Sequence, residues 1–160
     1  MRTHLTLGTL AREWYRLRTP IKLDYSLTAR PGWLAVMGNP YTISDIASPA
    51  AFLVKQKWLD CRLTVKVDYQ PSAANEEAGI TVYWSCFAYM ALLVRKSTRG
   101  LDNREVVLQW TAEDSEEVVV SLLLPRTGLT FRSFVMSYLA LAFSSSKSER
   151  SQPHIVSRMV

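Results

Sequence analysis

Histidine is almost missing from this 160-residue chain: His4 and His154 stand near opposite ends. A histidine-based metal site or catalytic triad therefore has almost no raw material, and no metal or cofactor is expected. Cysteine is scarce as well, with Cys61 and Cys86 alone. Long apolar runs are lacking. The longest late stretch, 134–143, has ten residues and contains Ser137, whereas a membrane-spanning helix needs roughly 20. Near the start, Arg12 and Glu13 interrupt the weakly apolar 5–11 before a secretory leader can form. A basic stripe interleaved with aromatics is missing too. The net charge of +5 is segregated, with +6 over 1–66, −5 over 67–124 and +4 over 125–160. The most strand-like part is the acidic one, which argues against nucleic-acid binding.

What remains is ordinary globular composition, 48% apolar and 21% charged, in a length that suits one domain. Strand signals dominate. Residues 22–29 alternate, with Leu23, Tyr25 and Leu27 on one side and Asp24, Ser26 and Thr28 on the other. Arg30-Pro31-Gly32 then reads as a type II turn, because proline pre-sets φ and glycine accepts the positive φ that follows. A short strand is expected over 33–37, and 43–51 is the one stretch that suits a helical turn. Further strands are expected over 60–69, 79–86, 89–95, 104–112, 118–124, 129–135 and 138–143. The intervening 96–103 and 113–117 read as polar turns. The run 118–124 is nearly all apolar, as in a strand covered on both faces. Many short strands at spacings near 8–12 residues indicate an all-β sandwich or jelly roll of antiparallel sheets. The Ser- and charge-rich 144–160 reads as a disordered tail.

Alternation suggests one specific pairing. If 60–69 and 79–86 form a hairpin, Val67 meets Ile80, Val65 meets Val82, Leu63 meets Trp84 and Cys61 meets Cys86. Those cysteines could then form a bridge or remain buried thiols.

Sugar chemistry needs two facing carboxylates about 5–9.5 Å apart. The candidates are Glu76 with Glu77, and the cluster Glu113, Asp114, Glu116 and Glu117. All of them fall in expected turns, so they read as solvated charge and no catalytic residue is assigned. Trp84 and Trp110 share their strand faces with core aliphatics and read as packing. Trp58, Tyr69 and Tyr83 fall outside that parity and are the weak candidates for carbohydrate binding.

The blocks Glu13-Trp14-Tyr15-Arg16-Leu17-Arg18-Thr19-Pro20, Ala29-Arg30-Pro31-Gly32-Trp33-Leu34, Lys55-Gln56-Lys57, Tyr69-Gln70-Pro71 and Glu76-Glu77-Ala78-Gly79-Ile80-Thr81-Val82-Tyr83 follow one another in order. Together they resemble the C-terminal concanavalin A-like sandwich of glycoside hydrolase family 43 enzymes, of the fungal β-xylosidase and α-L-arabinofuranosidase type. The resemblance runs over roughly 10–125. It departs at Val54, where the family pattern has an arginine, and the closing strands are not recognisable. It implies a two-sheet jelly roll, incomplete at its C-terminal edge, that packs beside a five-bladed propeller supplying the catalytic carboxylates. On that basis 1–20 is a segment entering from a missing catalytic domain, 21–143 is the sandwich and 144–160 is the tail. The expected role is a non-catalytic accessory module of a glycosidase acting on xylan- or arabinan-type sugars. The alternative is an independent carbohydrate-binding module for oligo- or polysaccharide. Parent enzymes of this type are often extracellular, which this chain by itself does not indicate.

Overall fold

The computed structural model describes residues 10–19, 23–56, 64–97, 104–112, 115–124, 129–132 and 155–159. The described residues form strands and turns without a helix. In chain order the strands are β1 (Trp14–Arg16), β2 (Tyr25–Ser26), β3 (Leu34–Val36), β4 (Phe52–Val54), β5 (Thr64–Asp68), β6 (Glu77–Ser85), β7 (Ala88–Lys96), β8 (Arg104–Ala112), β9 (Ser115–Leu124), β10 (Leu129–Arg132) and β11 (Ile155–Met159). They build a four-stranded meander β6-β7-β8-β9, a five-stranded sheet β10-β5-β11-β3-β2 and a two-stranded ribbon β1-β4. Every pairing is antiparallel.

Alternation places the core. Leu34 and Val36 of β3, Val65 and Val67 of β5, Ala78 and Ile80 of β6, and Val94 of β7 are buried together with Trp14, Leu27, Phe52 and Tyr69. Burying each such Val or Leu side chain contributes about 1.5–3 kcal/mol. Phe52 is the largest fully buried side chain among the described residues. It meets Tyr25 edge-on, with ring centroids 5.3 Å apart and planes at 79°, and the Arg16 guanidinium lies 4.3 Å above its ring. That guanidinium also grips both carboxylate oxygens of Asp24, a largely buried pair that ties β1 to the approach to β2. Arg104, buried on the core side of β8, donates from Nη1 to the carbonyl of Tyr69 at 2.7 Å and so links the two large sheets.

The turn chemistry is as expected. Trp33 N–H donates to the Arg30 carbonyl at 3.1 Å, and Gly32 has φ of 77°, the left-handed conformation required at the third position of a type II turn. Arg30 stacks over Trp33 at 3.9 Å and pairs with Asp68 at 2.7 Å. Both charges are about half exposed, so the ion pair contributes on the order of 1 kcal/mol at most.

Several expectations are corrected. The proposed 60–69/79–86 hairpin does not form. Val65 and Val67 do face the core, but β5 pairs with β10 and β11, while β6 pairs with β7. Matching apolar parity across two strands is equally satisfied when they lie in opposite sheets of one sandwich. Cys86 is a free thiol in the β6–β7 turn; Cys61 and Leu63 lie outside the described residues. The segment 144–160 contains β11, seated between β5 and β3, and 1–20 contains β1, whose Trp14 packs in the core. Residues 43–51 form a turn at Ile43–Ser44 and bends, with Asp45 Oδ2 accepting from Thr42 N at 2.6 Å. Strand β9 begins at Ser115, within the stretch read as a turn. Strand 129–135 appears as β10, and 138–143 lies outside the described residues.

Two glycines separate two kinds of constraint. A Cβ at Gly79 would stand 2.0 Å from the Leu92 carbonyl oxygen and 2.8 Å from Leu93 Cα, so β6 and β7 could not keep their spacing. At Gly32 the space is open and only the φ of 77° resists a side chain. In urea titrations Gly79→Ala is therefore expected to cost about 3 kcal/mol, by over-packing against backbone. Gly32→Ala is expected to cost about 1 kcal/mol, by strain alone. Equal losses would show that the β6–β7 contact is not close.

Candidate functional site

The carboxylates come first, because a glycosidase would need them. Glu76 is buried, and its carboxylate accepts from Ser72 N at 2.6 Å, from Ser72 Oγ at 2.9 and 3.0 Å, and from Ala73 N at 3.3 Å. It clamps the turn before β6. Glu77, one residue on, lies on the opposite face of the strand by alternation. There the register aligns it with Arg95 of β7 and Glu105 of β8. Arg95 Nε donates to the buried Glu105 carboxylate at 2.7 Å. A guanidinium thus stands in the row between the two acidic positions, where a hydrolytic pair would need an open gap for a glycosidic bond. Glu116 and Glu117 belong to β9, opposite Thr111 and Trp110. Glu113 and Asp114 lie outside the described residues.

The aromatic candidates separate. Tyr69 is buried in the core at 4% exposure, so its ring has no face to offer a sugar. Tyr83 is half-buried against a second cluster made by Ile43, Ala51, Tyr89, Ala91 and Leu93. Burial pushes its phenol above the ordinary value, the nearby Cys86 adds to this, and Arg18 opposes it. Trp58 lies outside the described residues. The two tryptophans read as core are the exposed ones: Trp84 and Trp110 are 41% and 38% exposed, with ring centroids 6.1 Å apart at 52°. Both stand near the end of the meander where the β6–β7 turn lies, and the β6–β7 register shifts beside Trp84, between Tyr83 and Ser85. Phe87, in the adjoining turn, is exposed as well.

On the face of the meander away from the main core lies a cleft of about 130 Å³. Its floor comes from β7, where Ala91 occupies the row between Thr81 and Gln109. A methyl between two larger side chains leaves a pit. One wall is the Thr42–Ser44 turn, with Ile43 packed on Ala91 and Leu93. That turn is braced from outside. Arg18 donates from Nη1 to the Ala47 carbonyl at 2.6 Å and to the Asp45 carbonyl, and Asn39 Nδ2 donates to the Ser48 carbonyl at 2.9 Å. At one end Gln109 Nε2 donates to Tyr89 Oη at 3.2 Å, and Tyr89 Oη lies 2.8 Å from Ser44 Oγ. Arg95 and Glu77 line the other end. Sequence reading missed this site because it looked for a packed face on one side of β6 and β8 and assigned no faces to β7. The usable signal was β7 itself, apolar at every position from Tyr89 to Val94, as in a strand covered on both faces. Among the described residues no group of three or more His, Cys, Asp or Glu side chains is placed to hold a metal ion.

Two antiparallel sheets packed face to face, with a meander forming one of them, define a concanavalin A-like β-sandwich. The family model for the β-xylosidase C-terminal concanavalin A-like domain matches residues 4–159, and the chain belongs to that family. The match runs through the segment where the closing strands had not been recognisable. A non-reducing end α-L-arabinofuranosidase of Bacteroides ovatus is 27% identical over 135 residues, covering 84% of this chain and 25% of that protein. The xylan β-1,4-xylosidase of Bacillus halodurans superposes with a TM-score of 0.74 at 17% identity, covering 94% of this chain and 37% of that one. A family 43 protein of Bacillus licheniformis does so with a TM-score of 0.73 at 17% identity, covering 94% and 33%. At these identities the superpositions speak for the fold. The chain spans a quarter to somewhat over a third of the length of these relatives.

Tyr83 supplies a pH test. The unfolded phenol ionises near 10.0 and the folded one higher. Its contribution to stability is therefore complete below that value, and is lost as pH rises through the folded pKa. The gap in urea midpoint between the wild type and Tyr83→Phe should be constant up to about pH 9 and change only above pH 10. A gap that changes between pH 6 and 8 would contradict the assignment.

Proposed function

We propose that this chain is the non-catalytic sandwich module of a family 43 glycosidase, and that it works by packing beside a propeller domain acting on xylan- or arabinan-type sugars. The observation that carries this reading is the family match over 4–159, in a chain covering only 25–37% of its relatives. The printed activities of those relatives, arabinofuranosidase and xylosidase, indicate the sugar class. The side-chain chemistry agrees. Glu76 and Glu105, the buried carboxylates near the meander, hold a turn and an arginine respectively. The exposed Trp84, Trp110 and Phe87 at one end of the meander give an apolar surface of the kind a neighbouring domain covers.

Two measurements test it. The chain alone, assayed on aryl β-xylosides and α-L-arabinofuranosides, should match the blank; turnover abolished by Glu77→Gln would overturn the reading. Co-produced with a family 43 propeller lacking its own sandwich, the chain should co-purify with it. Trp84→Ser combined with Trp110→Ser should weaken that association by roughly tenfold or more, as expected for aromatic anchors. Co-purification unchanged by the double substitution would place the contact elsewhere on the sandwich.

A further inference from the structure

We propose that the cleft between the Thr42–Ser44 turn and β6, β7 and β8 is a binding site for one neutral sugar ring, such as the terminal pentose of an oligosaccharide. This goes beyond the accessory role, which could hold or fail without it. Size is the first argument. The cleft measures about 130 Å³, and a cavity near 150 Å³ is known to accept a six-membered ring. Lining is the second. A sugar ring has an apolar C–H face and a rim of hydroxyls that each donate and accept. The cleft offers Ala91, Leu93 and Ile43 to the first and polar groups at both ends to the second.

The polar end near Ser44 has a direction. Gln109 Nε2 donates to Tyr89 Oη. Tyr89 is buried, so its own proton needs an acceptor, and Ser44 Oγ at 2.8 Å is the one in place. The Ser44 hydroxyl proton is then left to point outward from an exposed residue at the rim. The relay ends in a donor that suits a ligand oxygen.

Charge decides between ligand classes. Arg95 carries one positive charge and its row neighbours Glu77 and Glu105 carry two negative ones. The net negative row disfavours a uronate or phosphate, while the guanidinium opposes a cation. Hydroxyls are suited by both, accepting from the guanidinium and donating to carboxylate oxygen.

Saturation-transfer NMR on the whole chain tests this, with methyl β-xyloside, methyl α-arabinofuranoside and glucuronate as probes. Transfer to at least one neutral glycoside is expected, with weaker transfer to glucuronate. Ala91→Leu, which fills the pit, should abolish it. Ser44→Ala also takes the acceptor from Tyr89, so it is read only where its melt shows a folded chain; in that folded variant binding should weaken by roughly fivefold to tenfold through the lost donor. The proposal is overturned if neither glycoside binds the wild type, if Ser44→Ala binds as tightly as the wild type, or if glucuronate binds tighter than both glycosides. Retained binding in a folded Ala91→Leu variant would also overturn it. Co-purification with a propeller is a separate readout, so failure of the accessory reading would leave this result standing.

Discussion

Strand β7 is buried on both faces, and most of the molecule follows from that. Its even positions, Leu92 and Val94, meet the core shared with the five-stranded sheet. Its odd positions, Tyr89, Ala91 and Leu93, meet the Thr42–Ser44 turn. A strand covered twice must find apolar partners above and below, and the chain provides them from distant segments. Phe52, Val65 and Val67 come from one side, and Ile43 and Ala51 from the other. Gly79 lets β6 approach β7 closely enough for both layers to pack.

Arginine does much of the fastening among the described strands and turns. Arg16 closes on Asp24, Arg18 holds the carbonyls of the 45–47 bend, Arg95 holds Glu105, and Arg104 reaches across to the Tyr69 carbonyl. Arg18 and Arg104 satisfy carbonyls outside the strand ladders, which would otherwise need other partners. A planar guanidinium holds five donors in a fixed fork, whereas a lysine's three donors turn on a flexible stem. Glu76 and Glu105, two buried carboxylates near the meander, are engaged in the same fastening, one holding a turn and the other an arginine.

Local chemistry was readable and long-range pairing was not. Pro31 and Gly32 specify their turn within four residues, so the sequence predicts it directly. The bounds of β8, 104–112, are legible because polar turns flank a clear alternation. Parity also assigned Val65 and Val67 to the core. It could not name the sheet to which their strand belongs, since opposite sheets of a sandwich share one apolar interior. Trp84 and Trp110 share the parity of core aliphatics, yet they lie exposed near one end of the meander, and parity does not say how far along a strand the cover extends. Strand β11 escaped because Ile155, Val156 and Met159 are set among Ser, Pro and Arg, too diluted for an alternation signal. Tyr83, which packs against the cluster beside the cleft, was legible as an aromatic on the polar side of its strand. The cleft was not, because its wall, Thr42–Ser44, meets its floor only after folding.

The position of β11 bears on how the protein is made. The meander β6–β9 joins neighbours in sequence and can pair as each strand leaves the ribosome. The other sheet cannot finish that way, because β11 lies between β3 and β5, so these two early strands meet only through residues translated some ninety positions later. Synthesis therefore has to pass residue 159 before the second layer closes over the first. Until then the apolar side of the meander waits uncovered in the nascent chain, where a chaperone or an already folded neighbouring domain would be its natural temporary shelter.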